Sequence, residues 1–386
     1  MKITKSIVTL LALYGMFFNT ASAQDDLELN TITTAVPFLR IAPDARSGAL
    51  GDAGVATTAD AFSIHWNPAK VAFAEEDMAF GLSYTPWLRN LVGDIYAANV
   101  GGYKKLDDKQ GLAFSLLYFS LGQINFTDVN GQDAGTFQPR EFKIDAAYSR
   151  KLSDYISMGV ALRYIYSSLA SGQFVGGAEI KPGMSAAADV SFYYQKPIEI
   201  KEKNARLAFG ANISNIGSKI TYTNDSERDF IPTNLGLGSA LTIDIDDYNK
   251  FMITADINKL LVPSPDSAIN GVFEHRNKSV AAGMFGSFSD APGGFSEEMR
   301  EIMYSVGAEY WYDNQFAVRG GYFYEHATKG NRQYITAGLG MKLNVFGLGV
   351  SYLVPTSGQR NPLEETLRFS LSFDFASLKG SLKTEE

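Results

Sequence analysis

The sequence predicts an all-β fold: a fourteen-stranded antiparallel transmembrane β-barrel with an N-terminal lumenal plug. Three observations carry this. Large apolar residues alternate with small or charged ones over long stretches. Those stretches number fourteen, an even count. The connections between them alternate long and short. In 156–167, Ile156, Met158, Val160, Leu162, Tyr164 and Tyr166 alternate with Ser157, Gly159, Ala161, Arg163, Ile165 and Ser167. Successive strand side chains point to opposite faces, so one face is apolar and the other small or charged. Phe142, Ile144, Ala146 and Tyr148 repeat the pattern, as do Leu207, Phe209, Ala211 and Ile213, and Leu367, Phe369, Leu371, Phe373 and Phe375. With Tyr and Trp near strand ends, this fits a barrel whose apolar face meets lipid and whose polar face lines the lumen.

Taken in chain order, residues 1–23 read as a signal peptide. Lys2 and Lys5 form the positive region, Ile7 to Phe18 the apolar one, and Ala21-Ser22-Ala23 the small-residue cleavage site. Residues 24–76 are rich in Ala, Gly and Thr. Pro37 and Pro43 disfavour central strands, and Gly48, Gly51 and Gly54 allow tight turns and close backbone approach. A compact segment of this kind suits the lumen of a wide barrel as a plug. A tail tethered below the barrel would carry more of the polar bias of disorder. The barrel spans 77–376, and 377–386 is a periplasmic tail.

Strands are expected at 77–86, 92–105, 109–121, 139–151, 155–168, 182–195, 204–216, 231–244, 249–259, 301–312, 315–326, 331–342, 345–354 and 364–376. Most reach the ~9–11 residues that cross a bilayer at a tilt. The connections 87–91, 122–138, 169–181, 217–230, 260–300, 327–330 and 355–363 alternate with the mostly shorter 106–108, 152–154, 196–203, 245–248, 313–314 and 343–344. A soluble β-sandwich has no reason to sort its connections this way. An outer-membrane barrel does, with short periplasmic turns and long extracellular loops. An even strand count then puts both termini in the periplasm. No apolar run of ~18 residues outside the leader calls for a membrane-spanning helix.

Composition narrows function. A net charge of −8 speaks against nucleic-acid binding, which needs a basic surface. The absence of Cys excludes disulfides, Cys-based zinc sites and a thiol nucleophile. His65, His275 and His326 are widely spaced, and no Gly-x-Ser-x-Gly, His-Glu-x-x-His or phosphate-binding loop is present. His65, beside Trp66, reads as a packing residue. The Asp244, Asp246 and Asp247 run lacks the ligand spacing of a calcium loop. No catalytic residue, cofactor site or metal site is expected.

Lys143, Asp145, Arg163, Arg206, Arg319, Glu325, Arg368 and Asp374 fall on the lumenal face. They are expected to pair with each other and with the plug, although a polar channel lining is the other reading. The loop 260–300 far exceeds the ~12–15 residues at which a structureless loop becomes unusual. It holds Val272, Phe273, Met284, Phe285, Phe288 and Phe295, and Ser296-Glu297-Glu298 reads as a helix N-terminus capped by the hydroxyl. Phe126, Phe137, Phe174 and Phe230 sit in other long loops. Aromatics at this rim serve either partner contact or a lid over the mouth.

Gly51-Asp52-Ala53-Gly54-Val55-Ala56, then Ala59-Asp60-Ala61, then Trp66-Asn67-Pro68-Ala69 resembles the N-terminal hatch of the FadL-like family of fourteen-stranded outer-membrane barrels. The run from Ala35 through Pro43-Asp44-Ala45-Arg46 to Gly48, continuing to Lys70, is similar to the PorV (LptO) branch, part of the type IX secretion system of Bacteroidetes. In length, plug and strand count the resemblance covers the whole chain; its specific part is 35–70. It implies a secretion role without catalysis. Expected partners are a SprA (Sov)-like translocon barrel, secreted cargo with type IX C-terminal domains, a surface attachment complex with a PorU-like peptidase, and outer-membrane lipid. Site residues are expected in the plug at Gly51, Asp52, Gly54, Trp66, Asn67 and Pro68. Outer-loop contacts are expected at Phe126, Phe137, Phe174, Phe230, Phe273, Phe288 and Phe295. The alternative function is a FadL-like channel for hydrophobic small molecules, and a third is an outer-membrane lipid-modifying enzyme.

Overall fold

Lipid on one side and a packed interior on the other leave each strand a two-residue period, and the computed structural model shows it, interrupted by a bulge near Asn215 (φ 60°). It describes residues 30–87, 93–127, 130–175, 178–223, 228–265, 274–357 and 366–375. The barrel strands are β1 Met78–Pro86, β2 Ile95–Lys105, β3 Gln110–Leu121, β4 Arg140–Lys151, β5 Ile156–Ser168, β6 Gly183–Ile200 and β7 Lys203–Gly217. They continue as β8 Asn234–Asp244, β9 Asn249–Leu260, β10 Met303–Tyr312, β11 Phe316–Tyr324, β12 Gln333–Leu343, β13 Phe346–Pro355 and β14 Leu367–Phe375. Each pairs antiparallel with its sequence neighbours, and β1 closes the ring on β14 from Met78 opposite Phe375 to Tyr84 opposite Phe369.

The interior is the inverse of a soluble core. On β5, Ser157, Gly159, Ala161, Arg163, Ile165 and Ser167 are buried, while Met158, Val160 and Leu162 are exposed on the outer wall. Outward aromatics form ladders towards both ends. Tyr84, Tyr96 and Tyr118 lie side by side at one end, with centroids 5.6 and 6.2 Å apart. Phe80, Phe373 and Phe346 do so nearer the other, at 6.3 and 5.3 Å. Two such belts are what rings at both membrane interfaces produce.

The fourteen expected strands are present, with ends moved by a few residues. The largest shift corrects the connection expected at 196–203. Strand β6 runs on to Ile200, with Lys196 to Ile200 paired to Lys203 to Leu207. The turn shrinks to Lys201 and Glu202, both at positive φ (50° and 63°), as a tight hairpin with right-handed strand twist requires. The connection expected at 260–300 is not bare loop. It carries a 3-10 turn at Glu274–Asn277 and two helices, Val280–Gly286 and Phe295–Arg300. Small hairpins, Ile124–Thr127 with Asp133–Phe137 and Phe174–Val175 with Ala178–Glu179, rise from two other long connections.

Strand β1 starts and β14 ends on the face with the short turns. The segment before β1 does not stay there. The Asn30 N–H donates to Thr328 O (3.1 Å) and the Ala35 N–H to Phe230 O (2.9 Å), and both acceptors lie in long connections at the opposite face. From there the chain runs through the lumen to Met78. The even-count rule fixes where strands end; it says nothing of a segment that doubles back through the ring. The expected leader 1–23, residues 24–29, Val272, Phe273 and the tail 377–386 lie outside the described residues.

Candidate functional site

Inside the barrel, residues 36–74 are joined to the wall by a chain of specific contacts. Asp44 sits in extended backbone ahead of helix α1 (Ala45–Ala49) and caps it, accepting from the Ser47 N–H at 2.7 Å. Its other oxygen accepts the Trp66 indole N–H at 2.8 Å. The Ala45 N–H reaches Ser370 Oγ on β14 at 2.8 Å. Arg46 grips Glu309 of β10 through two bonds of 2.9 and 2.8 Å, and Arg319 of β11 donates to the same carboxylate at 2.6 Å. Bidentate guanidinium–carboxylate pairs fix direction as well as distance.

The Gly51–Asp52 turn follows, with both residues at positive φ (70° and 60°). The Gly51 N–H donates to Thr336 Oγ1 (2.9 Å), and Tyr334 OH donates to Asp52 Oδ2 (2.5 Å). Arg368 stands 3.4 Å from the second Asp52 oxygen. Next, the Gly54 and Val55 N–H groups share one oxygen of Asp256 on β9, at 2.7 and 2.8 Å. Gly54 also lies flat on Trp66: a Cβ there would fall 2.4 Å from the indole. Asn67 ends helix α2 (Ser63–Trp66) and begins the 3-10 helix Pro68–Phe73, its Oδ1 capping the Ala69 N–H at 3.0 Å. Its Nδ2 donates to Val55 O within the segment and to Phe192 O on β6, both at 3.0 Å. Pro68 then fits the first helical position, where no N–H is needed.

Thus Gly51, Asp52, Gly54, Trp66, Asn67 and Pro68 converge on one seat. The sequence did not reveal the wall partners of this seat, Asp256, Thr336 and Tyr334, nor Glu309 as the partner of Arg46, each some two hundred residues away or more. Nor did it reveal the role of the lumenal glycines. A Cβ on Gly321 would lie 2.2 Å from Gly51 N, and one on Gly210 would lie 2.3 Å from Val55 O. These glycines are contact points for the segment's backbone, not clearance for a solute.

The inward charges are paired. Asp145 holds both Lys143 (2.8 Å) and Arg163, and Arg163 reaches Asp189 at 3.0 Å. Arg206 meets Glu75 at 3.0 Å, Asp374 meets Lys342 at 2.9 Å, and Glu325 meets Arg332 at 2.7 Å. His65 packs edge-on to Trp66, 4.8 Å between centroids, with Lys143 Nζ 3.5 Å from Nδ1. A cavity of about 540 Å³ opens between the segment and the short turns, lined by Arg46, Ala59, Phe73, Tyr103, Trp311 and Ser372. A smaller one of about 100 Å³ lies on the other side of the segment, beside Trp66, Asn212 and Asn258. Among the described residues no cluster of His, Asp or Glu has metal-binding geometry.

At the long-connection rim stand the helices α3 (Val280–Gly286) and α4 (Phe295–Arg300), and α4 with its C-cap Glu301 turns its acids toward the barrel. Lys259, at an outward register position on β9, is covered by Glu298 (3.0 Å) and Glu301 (2.6 Å). Glu301 also accepts from Ser264 Oγ (2.6 Å) and Lys329 (3.1 Å), and Glu297 accepts from Lys329 at 2.6 Å. The opposite face is apolar: Phe285 and Phe295 are each 79% exposed, Phe288 52% and Met299 43%. These rings do not pack down as a lid. The expected cap at Ser296 is displaced by two residues: the N-cap is Gly294 (φ 67°), and α4 begins at Phe295. Of the other aromatics, Phe174 is exposed, while Phe126 and Phe137 are half-buried on their hairpin. Phe230 is buried rather than rim-exposed, beneath Lys219 at 4.2 Å and close against Gly283.

A family profile described as "Type IX secretion system protein PorV" matches residues 22–267. No curated protein matches the sequence. Among solved structures, the TodX deltaS2S3 mutant monoaromatic hydrocarbon channel aligns with a TM-score of 0.54 at 15% identity, over 86% of this chain and 99% of that one. The CymD monoaromatic hydrocarbon channel aligns with a TM-score of 0.51 at 12% identity, over 87% and 98%. A Pseudomonas aeruginosa FadL homologue gives 0.43 at 10%, over 90% and 100%. At these identities the first two likenesses show the fold alone.

Proposed function

The chain belongs to the PorV family of type IX secretion system proteins, and from that premise we propose that it captures secreted cargo on its outer face and passes it on, without catalysis. Family membership makes it an outer-membrane β-barrel of that secretion system. The finer reading has its support in one observation: a helix pair whose second member hides Glu298 and Glu301 against the barrel, while the pair presents Phe285, Phe288, Phe295 and Met299 outward. Soluble surfaces rarely show such a patch without something to cover it. On this reading the patch takes the cargo's C-terminal domain, next to a SprA-like translocon, before delivery to a PorU-like attachment complex. Segment 24–76 acts as a plug, the long connections face outward and the short turns face the periplasm. The channel alternative needs a path through the lumen, where Gly210 and Gly321 instead seat the segment's backbone.

The test replaces Phe285, Phe288 and Phe295 with Ser and measures recovery of secreted cargo with the protein from native membranes. Barrel folding is checked by heat-modifiable mobility. A buried aromatic anchor contributes roughly 2 kcal/mol or more, so the triple change is expected to abolish capture. Full recovery would overturn the cargo reading. Orientation has its own test: an epitope beside Gly131 should be reached by antibody on intact cells and one beside Ser153 should not.

A further inference from the structure

The helix pair and the lumenal seat sit at different depths, yet one segment touches both. At the rim, Asn30 donates its backbone N–H to Thr328 O and its side chain to Glu297 Oε1 of α4 (2.8 Å). Two residues on, Ile32 packs on a buried cluster of Leu260, Met303, Phe323, Tyr334 and Leu353. Met303 follows α4 by three residues, and its sulfur accepts from Arg40 of the same segment at 2.9 Å. Within that cluster Tyr334 stacks flat on Phe323, 4.8 Å between centroids, and its hydroxyl is the donor to Asp52. From α4 to the Gly51–Asp52 turn there is thus an unbroken line of packed and hydrogen-bonded groups, and it doubles the covalent path from Asn30 to Asp52.

We propose that residues 30–52 form a through-lumen tie, by which the state of the outer helix pair is felt at the seat of the segment, and the reverse. This rests on the helix pair being the contact surface, since it names what contact there would regulate. A bond between Asn30 and Glu297 serves no folding need of the barrel strands, which close without it. What it does is make α4 and the segment one body. A load that shifts α4 pulls on Asn30 and, through Met303, on the Phe323–Tyr334 stack together. By reciprocity, loosening the seat must loosen the helix pair by the same factor.

The test places each substitution at one end and reads the other, in the full-length protein in outer-membrane vesicles opened to the short-turn face. Asn30→Ala is combined with Ala59→Cys, which lines the short-turn cavity on the segment side. Maleimide labelling of that cysteine should rise about 3- to 10-fold, the span that corresponds to one lost hydrogen bond. Ser372→Cys, on the wall of the same cavity, should keep its rate. Conversely, Tyr334→Phe leaves the ring stack and removes only the donor to Asp52. It should raise the mobility of a spin label on Phe295→Cys by a comparable factor in exchange, with heat-modifiable mobility unchanged. Wild-type labelling of Ala59→Cys in the Asn30→Ala protein, or an unmoved spin label in Tyr334→Phe, would overturn the tie. An equal rise at Ser372→Cys would also overturn it, since the whole barrel would then have loosened. Cargo recovery by the phenylalanine variants is scored separately, so failure of the tie and failure of the contact surface are told apart.

Discussion

Segment 36–74 and the connection 274–302 are both short helices and turns laid against a barrel, and they are built in opposite senses. The first buries its small apolar residues and spends its charges on the wall, Arg46 on Glu309 and Asp52 beside Arg368. The second buries Glu298 and Glu301 on Lys259 and leaves Phe285, Phe288 and Phe295 bare. Short helices of one or two turns therefore acquire opposite roles from which face the wall takes. Where polar groups are placed against partners of fixed geometry, the element is held in one position. Where apolar groups face outward, the element is completed only by something else.

The strongest way to break that contrast is to evict the inner segment. Gly321→Leu or Gly210→Leu puts side-chain atoms where Gly51 N and Val55 O now lie, and in both cases the nearest atom is backbone. Overpacking that forces the backbone to shift costs about 1–3 kcal/mol, occasionally more. The expected outcome is higher conductance in planar bilayers with unchanged heat-modifiable mobility, matching a deletion of 24–76. Unchanged conductance in both would mean that the segment does not occlude the lumen. Glu309→Ala loosens the segment at one anchor and does not evict it, and leaves Arg46 and Arg319 facing each other without their shared carboxylate. Breaking a buried pair from one side costs about 3–5 kcal/mol, so protease access to the inner segment should rise. The double change Arg46→Met with Glu309→Leu should restore part of the loss.

On the outer side the effects are smaller and of another kind. Phe295→Ser alone should leave thermal stability within about 0.5 kcal/mol of wild type, because an exposed ring contributes little to the fold. A large drop in melting temperature would mean that the ring packs down after all. The smallest effect is pH dependence at α4. Partial burial alone raises the Glu297 carboxyl, but hydrogen bonds from Lys329, the Gly293 N–H and Asn30 outweigh it and hold it below its ordinary 4.5. Its contribution is therefore present above pH 4.5 and is lost as pH falls through the depressed value. Proteolysis around Arg300 should quicken only in that acidic window, and Glu297→Gln should flatten the response.

The wall was legible in the sequence because its physics is local. Leu162 faces lipid and Arg163 the interior, and each says so by its neighbours two residues away. The seat was half legible: Gly51, Gly54 and Asn67 show that the backbone turns tightly, but not that Asp256 receives Gly54 or that Gly321 receives Gly51. Those are contacts across some two hundred residues or more, and an aspartate on an inward face looks the same whether it holds an amide or water. Phe230 misled for a related reason. A ring in a long connection carries no local mark of the Lys219 and Gly283 that cover it. The route of Asn30 to the far rim was invisible because strand parity constrains strands only.

That route has a consequence for how the molecule is made. The segment enters the ring at one mouth and leaves it at the other as β1, and β1 is also the strand that meets β14 to shut the ring. Trp66 and the Pro68–Phe73 turn make their bonds to β6 and its neighbours inside that ring. The order of assembly expected from this starts on an open sheet. The segment is laid on the open sheet while β1 and β14 are still apart, and the seam zips around it, so that the same contacts which later hold it in place first serve as the mould on which the sheet curls shut.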